Sequence, residues 1–314
     1  MFFYPLFPRP RDIWNDCGGN EISMDERNRY VAMIVLQSVI YGAMDVISKL
    51  AYQSISVYSF LLLRYLLAAA VMLLIWGRPI LRELGTVSPG RYLVPGLCMS
   101  GALLLSNLAL SYTKATNVSF IRSLSAILVP VLLLVFFRQR YERHDAALQL
   151  LVVLGLYLLC MRGGGTTGIG AGELLSFLAA LLMAGSLVFG KRALGAISAV
   201  GLSFVQTFLS ILLCGVMCLL TGAMPDLSCL SDGRIVLSLV YAAVACTIGG
   251  YLLQNIALEH ISSKIVGMVQ CLYPVATAVL AFLILRERLT PLGLLGAAAI
   301  FVAVLLESKW NDRT

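Results

Sequence analysis

The sequence predicts an all-α membrane protein of ten transmembrane helices, arranged as two inverted repeats of five helices each. Three observations support this fold class: the composition, the length of the apolar stretches, and an internal repeat. Of the 314 residues, 60% are hydrophobic and only 12% are charged, whereas soluble domains carry about 25% charged residues. A soluble core could not bury so much apolar surface, so the chain is predicted to lie in a lipid bilayer.

Apolar stretches close to the length of a bilayer span follow one another almost without interruption. A helix needs about 20 apolar residues to cross the hydrocarbon core. Ten stretches approach or reach this length, although the fifth is short: 31–51, 55–76, 92–112, 115–137, 146–161, 174–190, 198–221, 235–258, 265–285 and 289–307. Each stretch is predicted to form one transmembrane helix.

Residues 107–158 recur, without a gap, at residues 255–306. The informative matches are polar, because leucine and valine match often by chance in so apolar a chain. At a constant offset of 148 they are Asn107-Leu-Ala-Leu110 with Asn255-Ile-Ala-Leu258, and Arg138-Gln-Arg140 with Arg286-Glu-Arg288. So long a repeat indicates two halves of a duplicated membrane domain, an arrangement typical of secondary transporters.

The basic residues predict how the chain is oriented. With the N-terminus in the cytoplasm, the inner segments hold 15 of the 23 Lys and Arg residues and the outer segments hold 6. Cytoplasmic loops are enriched in Lys and Arg, so both termini are predicted to be cytoplasmic. Five spans in each half then place the second half upside down relative to the first. The same loops explain the net charge of +7, and no nucleic-acid partner is predicted.

The predicted domain organisation follows from these spans. It consists of a disordered cytoplasmic tail at 1–29, a first repeat at 30–161, a Gly-rich linker at 162–173, a second repeat at 174–307 and a cytoplasmic tail at 308–314. The start of the protein is either Met1 or Met24, since Met24 leads directly into the first span. The linker lacks the flanking residues of a phosphate-binding loop, so its glycines predict a flexible connection.

The two copies differ in where proline falls within the fourth span of each repeat. At the offset of 148, Pro274 aligns with Ala126, and Pro130 lies one turn later. Proline removes a helical hydrogen bond and bends the helix. The two fourth helices are therefore predicted to kink at different depths.

Four ionisable residues lie within predicted spans, where such residues are costly and usually functional. Asp45 and Lys49 are four residues apart on one helical face and could pair with each other. Lys49 and Arg64 are interpreted as charge-pairing or structural residues: Lys49 could reach the outer surface, and Arg64 could bond Asp45 or helix carbonyls. Asp45 is the one acid among the four and the candidate for proton coupling, because a carboxylate removed from water can bind a proton near neutral pH.

Arg122 is the leading candidate for contact with a substrate. Its counterpart in the second copy is Gln270, so one half offers a charge where the other offers an amide, as binding of an asymmetric solute requires. The alternative is that Arg122 pairs with a helix end. With three cations and one acid, the intramembrane residues favour a carboxylate, phosphate or zwitterion over a lipophilic cation.

Neutral polar and aromatic side chains in several spans complete the predicted substrate site. They are Gln37, Tyr41, Asn107, Ser119, Tyr251, Asn255, Gln270 and Tyr273. Asn107 and Asn255 could equally form hydrogen bonds between helices. The chain contains no intramembrane Ser-His pair, HExxH motif or paired acidic cluster, so neither an enzyme nor a metal site is predicted, and no cofactor is expected.

Several motifs resemble the EamA-type transporters of the drug/metabolite transporter superfamily. They are Tyr41-Gly-Ala-Met-Asp-Val-Ile-Ser-Lys49, Phe60-Leu-Leu-Leu-Arg64, Ala109-Leu-Ser-Tyr-Thr-Lys-Ala115, and Tyr273-Pro-Val-Ala-Thr-Ala leading to Leu285-Arg-Glu-Arg-Leu-Thr290. The resemblance covers about residues 30–307. It implies a ten-helix, two-repeat carrier with cytoplasmic termini, a central cavity lined by both repeats, and alternating access. Two departures are Asp45, where related sequences often carry Asn, and Gln139, where the family usually has Glu.

The functional prediction is a secondary transporter of the cytoplasmic membrane that moves a small polar metabolite, either amino-acid-like or carboxylate-bearing. Export is the predicted direction. A multidrug or cationic-compound efflux carrier and a lipid-linked sugar flippase are the alternatives. The predicted partners are the small-molecule substrate, the lipid bilayer and a second copy of the chain in a homodimer.

Overall fold

All regular structure in the described part of the chain is helical. The computed structural model describes residues 24–113, 115–139, 143–160, 170–224, 231–285 and 291–310. The helices of the first half are α1 Met24–Ala51, α2 Val57–Thr86, α3 Pro89–Ala109, α4 Ala115–Ser123, α5 Ser125–Phe137 and α6 Arg143–Cys160. Those of the second half are α7 Ala171–Ala193, α8 Ala199–Thr221, α9 Gly233–Val240, a π-helix Tyr241–Gly249, α10 Gly250–His260, α11 Ser263–Val269, a 3₁₀ turn Gln270–Leu272, α12 Tyr273–Leu285 and α13 Pro291–Trp310.

Some predictions concern segments outside the described residues. They are the tail up to residue 23, most of the Gly-rich linker, the Arg286-Glu-Arg288 motif and the last four residues. The predicted tail 1–29 is described only from Met24, where α1 already begins.

Eight helices within the described residues are long and apolar enough to cross a membrane. They cover Asp25–Ala51, Val57–Thr86, Pro89–Ala109, Asn117–Phe137, Ala171–Ala193, Ala199–Thr221, Gly233–His260 and Ser263–Leu280. The other two predicted spans correspond to α6 and α13, whose apolar runs Ala146–Gly155 and Leu294–Val304 are shorter. The all-helical membrane class is thus confirmed, with eight candidate spans rather than the ten predicted.

The outer surface of the helices is strongly apolar. Leu74 is 87% exposed, and Leu220 and Leu237 are each more than 70% exposed. In water, so much exposed apolar surface would drive association. Against lipid tails, which are also apolar, the same side chains are in a favourable environment.

The fourth helix of each repeat is interrupted at the same place. The first copy breaks at Leu124, between α4 and α5, and the second breaks at the turn Gln270–Leu272, which contains the counterpart of Leu124 at the offset of 148. The predicted difference in kink depth is therefore wrong. Pro274 explains the second break, because it leaves the carbonyl of Gln270 without its helical donor. Pro130 instead lies inside the continuous helix α5.

The first break forms without a proline at the equivalent position. The Oγ of Ser123 donates to the carbonyl of Ser119 at 2.8 Å, and the amide of Leu124 donates to the carbonyl of Ile121 at 3.1 Å. A serine bonded back to its own helix competes with the regular ladder and often bends the helix. Two different local causes thus produce the same break.

The two breaks contact each other. The Sγ of Cys271 donates to the carbonyl of Ser123 at 3.8 Å, and these residues are 148 positions apart. A residue in contact with its own repeat counterpart lies on the pseudo-two-fold axis that relates the copies. The axis therefore passes between the two broken turns.

The first helices of the two copies run in opposite directions. At one end of the bundle, Tyr30 at the start of α1 stacks on His260 with ring centroids 4.3 Å apart, and Lys191 near the end of α7 donates to the carbonyl of Glu259 at 3.0 Å. At the other end, Glu173 at the start of α7 accepts from Thr113, just beyond α3, at 2.7 Å.

The first two helices of one repeat, α1 and α2, align with those of the other, α7 and α8, at a sequence offset shorter than the 148 residues that relate the later helices. Helices α2 and α8 begin at Val57 and Ala199, which are 142 positions apart, and each follows an N-terminal cap of serine after isoleucine. This register pairs Tyr41 with Met183 and Arg64 with Gln206. The change from 142 to 148 explains why a search at one offset finds the repeat only in the later helices.

Candidate functional site

A small cavity lies against the pseudo-two-fold axis. Its lining comes from α1, from the broken turns of both repeats and from α7: Gln37, Ser38, Tyr41, Arg122, Ser123, Ser125, Met183, Gln270 and Tyr273. Three pairs in this lining are repeat counterparts, namely Arg122 with Gln270, Ser125 with Tyr273, and Tyr41 with Met183. The volume of the cavity is about 20 Å³, which is room for one or two water molecules. A larger solute enters only when the surrounding helices separate.

Arg122 is the cation of this cavity. It lies in the last turn of α4 and is 7% exposed, and its guanidinium lies over the ring of Tyr273 with Cζ 3.9 Å from the ring centroid. The ring of Tyr41 is 6.0 Å from the same atom. A guanidinium stacked on aromatic rings is held in place while its N–H donors stay available. One long hydrogen bond, of 3.3 Å, runs from its Nη1 to Ser106.

Two glutamines of the lining, Gln37 and Gln270, are joined to a third, Gln254, by hydrogen bonds. The Nε2 of Gln270 donates to the Oε1 atoms of Gln37 at 3.1 Å and Gln254 at 2.9 Å. Gln37 in turn donates to Gln254 at 3.0 Å and to the carbonyl of Gly250 at 3.1 Å. This network joins α1, α10 and the 3₁₀ turn, so a displacement of one helix changes the bonds of the other two.

Several polar atoms of the lining have no hydrogen-bond partner within the described residues. They are the hydroxyls of Tyr41 and Tyr273 and the Oε1 of Gln270. A buried polar group without a partner costs about 1–3 kcal/mol. Hydroxyls and an amide oxygen facing a cavity are therefore free to bond a polar solute.

Three charged side chains are buried among the residues whose exposure the structure describes: Asp45 at 7%, Arg64 at 3% and Arg122 at 7%. With Asp45 ionised, they carry a net charge of +1. Both arginines act electrostatically on Asp45, but no ion pair within 4 Å joins Asp45 to either arginine or to Lys49 among the described residues. The carboxylate atom Oδ2 of Asp45 makes no hydrogen bond there.

The π-helix positions the partner of Arg64. Within it, Thr247 donates to the carbonyl of Ala242, five residues earlier, at 2.9 Å, and accepts from the Nε of Arg64 at 2.7 Å. Segments of π-helix are rare and often mark functional sites. Here the widened turn brings a hydroxyl to a buried cation.

Comparison with known proteins decides the family. Residues 28–161 and 170–308 each match the EamA-like transporter family. The chain belongs to this family. It is a multi-pass membrane transporter and not an enzyme, and the two matched segments are its two EamA repeats.

Two relatives are named as transporters, and one solved structure shares the fold. An uncharacterized transporter of Archaeoglobus fulgidus is 24% identical over 275 residues, which is 88% of this chain and 84% of the relative. A riboflavin transporter, ImpX, of Fusobacterium nucleatum is 24% identical over 220 residues, covering 68% of this chain and 72% of the relative. One crystal structure superposes with a TM-score of 0.72 at 15% identity, covering 90% of this chain and 98% of that one, and it supports the fold alone.

The EamA-like fold brings five of the sequence-predicted site residues together in the cavity lining: Gln37, Tyr41, Arg122, Gln270 and Tyr273. Ser119 is buried one turn before Ser123. The other four lining residues, Ser38, Ser123, Ser125 and Met183, were not among the predicted site residues. The offset of 142 from Tyr41 would have indicated Met183. The roles of all these residues in binding remain predictions.

The two repeat-related asparagines lie in hydrogen bonds between side chains rather than in the cavity lining. Asn107 accepts from the hydroxyl of Tyr52 at 2.6 Å. Asn255 donates to Ser203 at 2.8 Å and to Gln206 at 3.0 Å. Tyr251 is fully buried outside the lining.

Proposed function

We propose that this EamA-like protein is a secondary transporter of ten transmembrane helices in two inverted repeats, which exports a small polar metabolite with an anionic group. The substrate class is amino-acid-like or carboxylate-bearing. The membrane is the cytoplasmic membrane, with both termini on the cytoplasmic side. The observation that carries this proposal is the net charge of +1 that the buried side chains of Asp45, Arg64 and Arg122 carry when Asp45 is ionised.

An uncompensated charge in the membrane interior is costly, about 2.5–3.5 kcal/mol for an Arg or Asp at the centre of a span by insertion experiments. A bound carboxylate would neutralise the excess charge beside Arg122. A lipophilic cation would raise the net charge to +2 in the same volume. The charge distribution therefore favours an anionic or zwitterionic solute over a cationic drug.

The donors and acceptors of the lining suit a zwitterion. Arg122 offers N–H donors to a carboxylate. The Oε1 of Gln270 and the hydroxyls of Tyr41 and Tyr273 are acceptors for an ammonium group. In both repeat-related pairs, Arg122 with Gln270 and Arg64 with Gln206, the first copy supplies the cation and the second an amide. This asymmetry gives the two ends of a small solute different partners.

Alternating access would follow from movement of the two repeats about the pseudo-two-fold axis. Contacts between the copies lie at both ends of the bundle. At the end where α1 begins, Glu83 accepts from the hydroxyl of Ser198 at 2.7 Å; at the other end, Glu173 accepts from Thr113 at 2.7 Å. Breaking one set of contacts while keeping the other would open the small cavity to one side.

A second candidate substrate is a flavin, because one relative is named a riboflavin transporter. The tyrosine rings of the lining could stack on a planar heterocycle. Riboflavin carries no carboxylate, however, and would leave the excess positive charge uncompensated. It is therefore ranked below an anionic metabolite and included in the test.

The test is uptake into proteoliposomes that hold the purified protein, with and without an imposed pH gradient. The panel contains neutral and aromatic amino acids, small carboxylates, riboflavin and quaternary-ammonium dyes. We expect saturable uptake of an amino acid or carboxylate and none of its methyl ester, which lacks the anionic group. Uptake of the dyes alone would overturn the proposal in favour of a drug exporter. Accumulation in inverted membrane vesicles would establish export.

Asp45→Asn is expected to abolish accumulation driven by a pH gradient while leaving exchange of substrate across the membrane in place. Asparagine cannot bind the coupling proton, but the positive charge that attracts the substrate remains. The measurement compares pH-driven uptake with counterflow in the same proteoliposomes. Asp25→Asn is the control on the same helix, since Asp25 is 87% exposed. Undiminished pH-driven accumulation in Asp45→Asn would show that Asp45 does not carry the coupling proton.

A further inference from the structure

Arg64 lies outside the cavity lining and has donors in excess of its partners. It is 3% exposed, and its guanidinium carries five N–H donors. Within the described residues its hydrogen bond from Nε to Thr247, of 2.7 Å, is the only one it makes. A buried guanidinium in a membrane protein is expected to meet an acceptor for its remaining donors.

Other unmatched donors surround this guanidinium. The Cζ of Arg64 is 5.3 Å from the ring centroid of Tyr65, and Tyr251 is also within electrostatic range. Tyr65 is 1% exposed and Tyr251 is 0% exposed, and neither hydroxyl has a close hydrogen-bond partner among the described residues. The two hydroxyls neighbour each other, and that of Tyr65 also neighbours Ser210. Both hydroxyls lie in the same apolar cluster between α2, α3, α8 and α10.

Gln206, the repeat counterpart of Arg64, adds another donor. Its Oε1 accepts from the Nδ2 of Asn255 at 3.0 Å, which fixes the orientation of the amide. Its Nε2 is buried without a partner among the described residues. Gln206 is one turn from Ser210, whose hydroxyl neighbours that of Tyr65.

These groups share one chemistry. The guanidinium and the Nε2 of Gln206 only donate, and each tyrosine hydroxyl can donate one hydrogen bond. The nearest acid, Asp45, forms no ion pair with Arg64 in the described residues. Unmatched donors around a buried cation select an anion, and the packed surroundings limit it to a small one.

We propose that Arg64, Tyr65, Gln206 and Tyr251 form a second site that binds one small monovalent inorganic anion of the chloride class. The anion occupies this site when no substrate is bound and balances the net charge of the buried residues. Binding of an anionic substrate at Arg122 then weakens it, because both would neutralise the same single excess charge. This mutual exclusion rests on the proposed function, whereas the anion site itself does not.

The experiment measures the thermal unfolding temperature of the purified protein in lipid nanodiscs, in sodium chloride and in sodium gluconate of equal ionic strength. Gluconate is too large for the site and serves as the reference anion. We expect chloride to raise the unfolding temperature by roughly 2–4 °C for each tenfold increase above its dissociation constant. Equal unfolding temperatures in the two salts would overturn the site.

Arg64→Gln is expected to lose the chloride response. Arg82→Gln, which removes the same charge from an exposed position on the same helix, is expected to keep it. Should Arg64→Gln fail to fold, Tyr65→Phe and Tyr251→Phe each remove one donor and are expected to raise the chloride concentration of half-maximal effect. A response that survives in Arg64→Gln but disappears in Arg122→Gln would overturn the proposed location.

The results of this experiment and of the transport assay test the anion site and the proposed function independently. A protein that transports amino acids or carboxylates without any chloride response overturns the anion site and leaves the transport proposal standing. A chloride response that depends on Arg64, in a protein that transports only the cationic dyes, supports the anion site and overturns the transport proposal.

Discussion

Arg122→Gln is expected to reduce transport roughly 30-fold or more without loss of folding. Removing one partner of a buried charged hydrogen bond costs about 2–5 kcal/mol, and a tenfold change in an equilibrium corresponds to about 1.4 kcal/mol. The glutamine would also make this position chemically the same as its counterpart, Gln270. The cavity would then lose both its cation and the difference between its two halves.

Arg122→Lys is the matched control for this prediction. Lysine keeps the charge but lacks the planar guanidinium that lies 3.9 Å above the ring of Tyr273 and presents paired donors to a carboxylate. We expect transport by Arg122→Lys to fall between the wild type and Arg122→Gln. Initial uptake rates in proteoliposomes measure transport, and elution as a single peak in size-exclusion chromatography reports folding. Wild-type flux in a folded Arg122→Gln protein would show that Arg122 does not bind the substrate.

Gly42→Ala is expected to destabilise the protein strongly. Gly42 lies on α1 beside Tyr41, and a methyl group there would approach the backbone nitrogen of Thr277 to 2.8 Å and the carbonyl carbon of Ala276 to 3.0 Å. The obstructing atoms belong to the backbone of α12, so they cannot move aside as a flexible side chain would. Overpacking of this kind typically costs about 1–3 kcal/mol, which predicts an unfolding temperature lower by roughly 2–12 °C.

Gly215→Ala is the control, because a methyl group on Gly215 of α8 would meet no atom within 4 Å. Alanine in a helix interior is more favourable than glycine by about 1 kcal/mol, so this variant is expected to be as stable as the wild type or more stable. The thermal unfolding temperature is measured for both variants in nanodiscs. Equal temperatures for Gly42→Ala and the wild type would show that α1 and α12 can separate at little cost. Transport by Gly42→Ala is also expected to fall, since shifting α1 moves Tyr41.

The repeat at the offset of 148 identified Arg122 and Gln270 as counterparts, and the structure places both in the cavity lining. Arg122 and Gln270 are polar in an apolar chain, and their alignment alone indicated that they occupy equivalent positions. The break in each fourth helix could not be predicted in the same way. Pro274 predicts one break. The other depends on a serine hydroxyl that bonds back to its own helix, and serine at a helical position does so only in some contexts.

Asn107 and Asn255 show the limit of reasoning from the repeat. Their alignment showed that the two asparagines occupy equivalent positions in the two repeats. The sequence was equally consistent with both lining the cavity and with both forming hydrogen bonds between helices. The choice depends on side chains from other helices, namely Tyr52 beside Asn107 and Gln206 beside Asn255. Each contact joins residues of different helices, and no periodicity in the sequence predicts which residues of two helices will meet.

The sequence by itself determined that this protein is helical, lies in a membrane, consists of two copies and buries charge within its spans, because length, apolarity and repetition are properties of the chain alone. The tertiary structure decided which polar residues share one cavity. It also decided that Asp45 makes no close ion pair in the described residues and that Arg64 lies outside the cavity lining, bonded to Thr247. Those features depend on how the helices of one copy pack against those of the other. Contacts of this kind are set by side-chain shape at the interface and not by any periodicity along the chain.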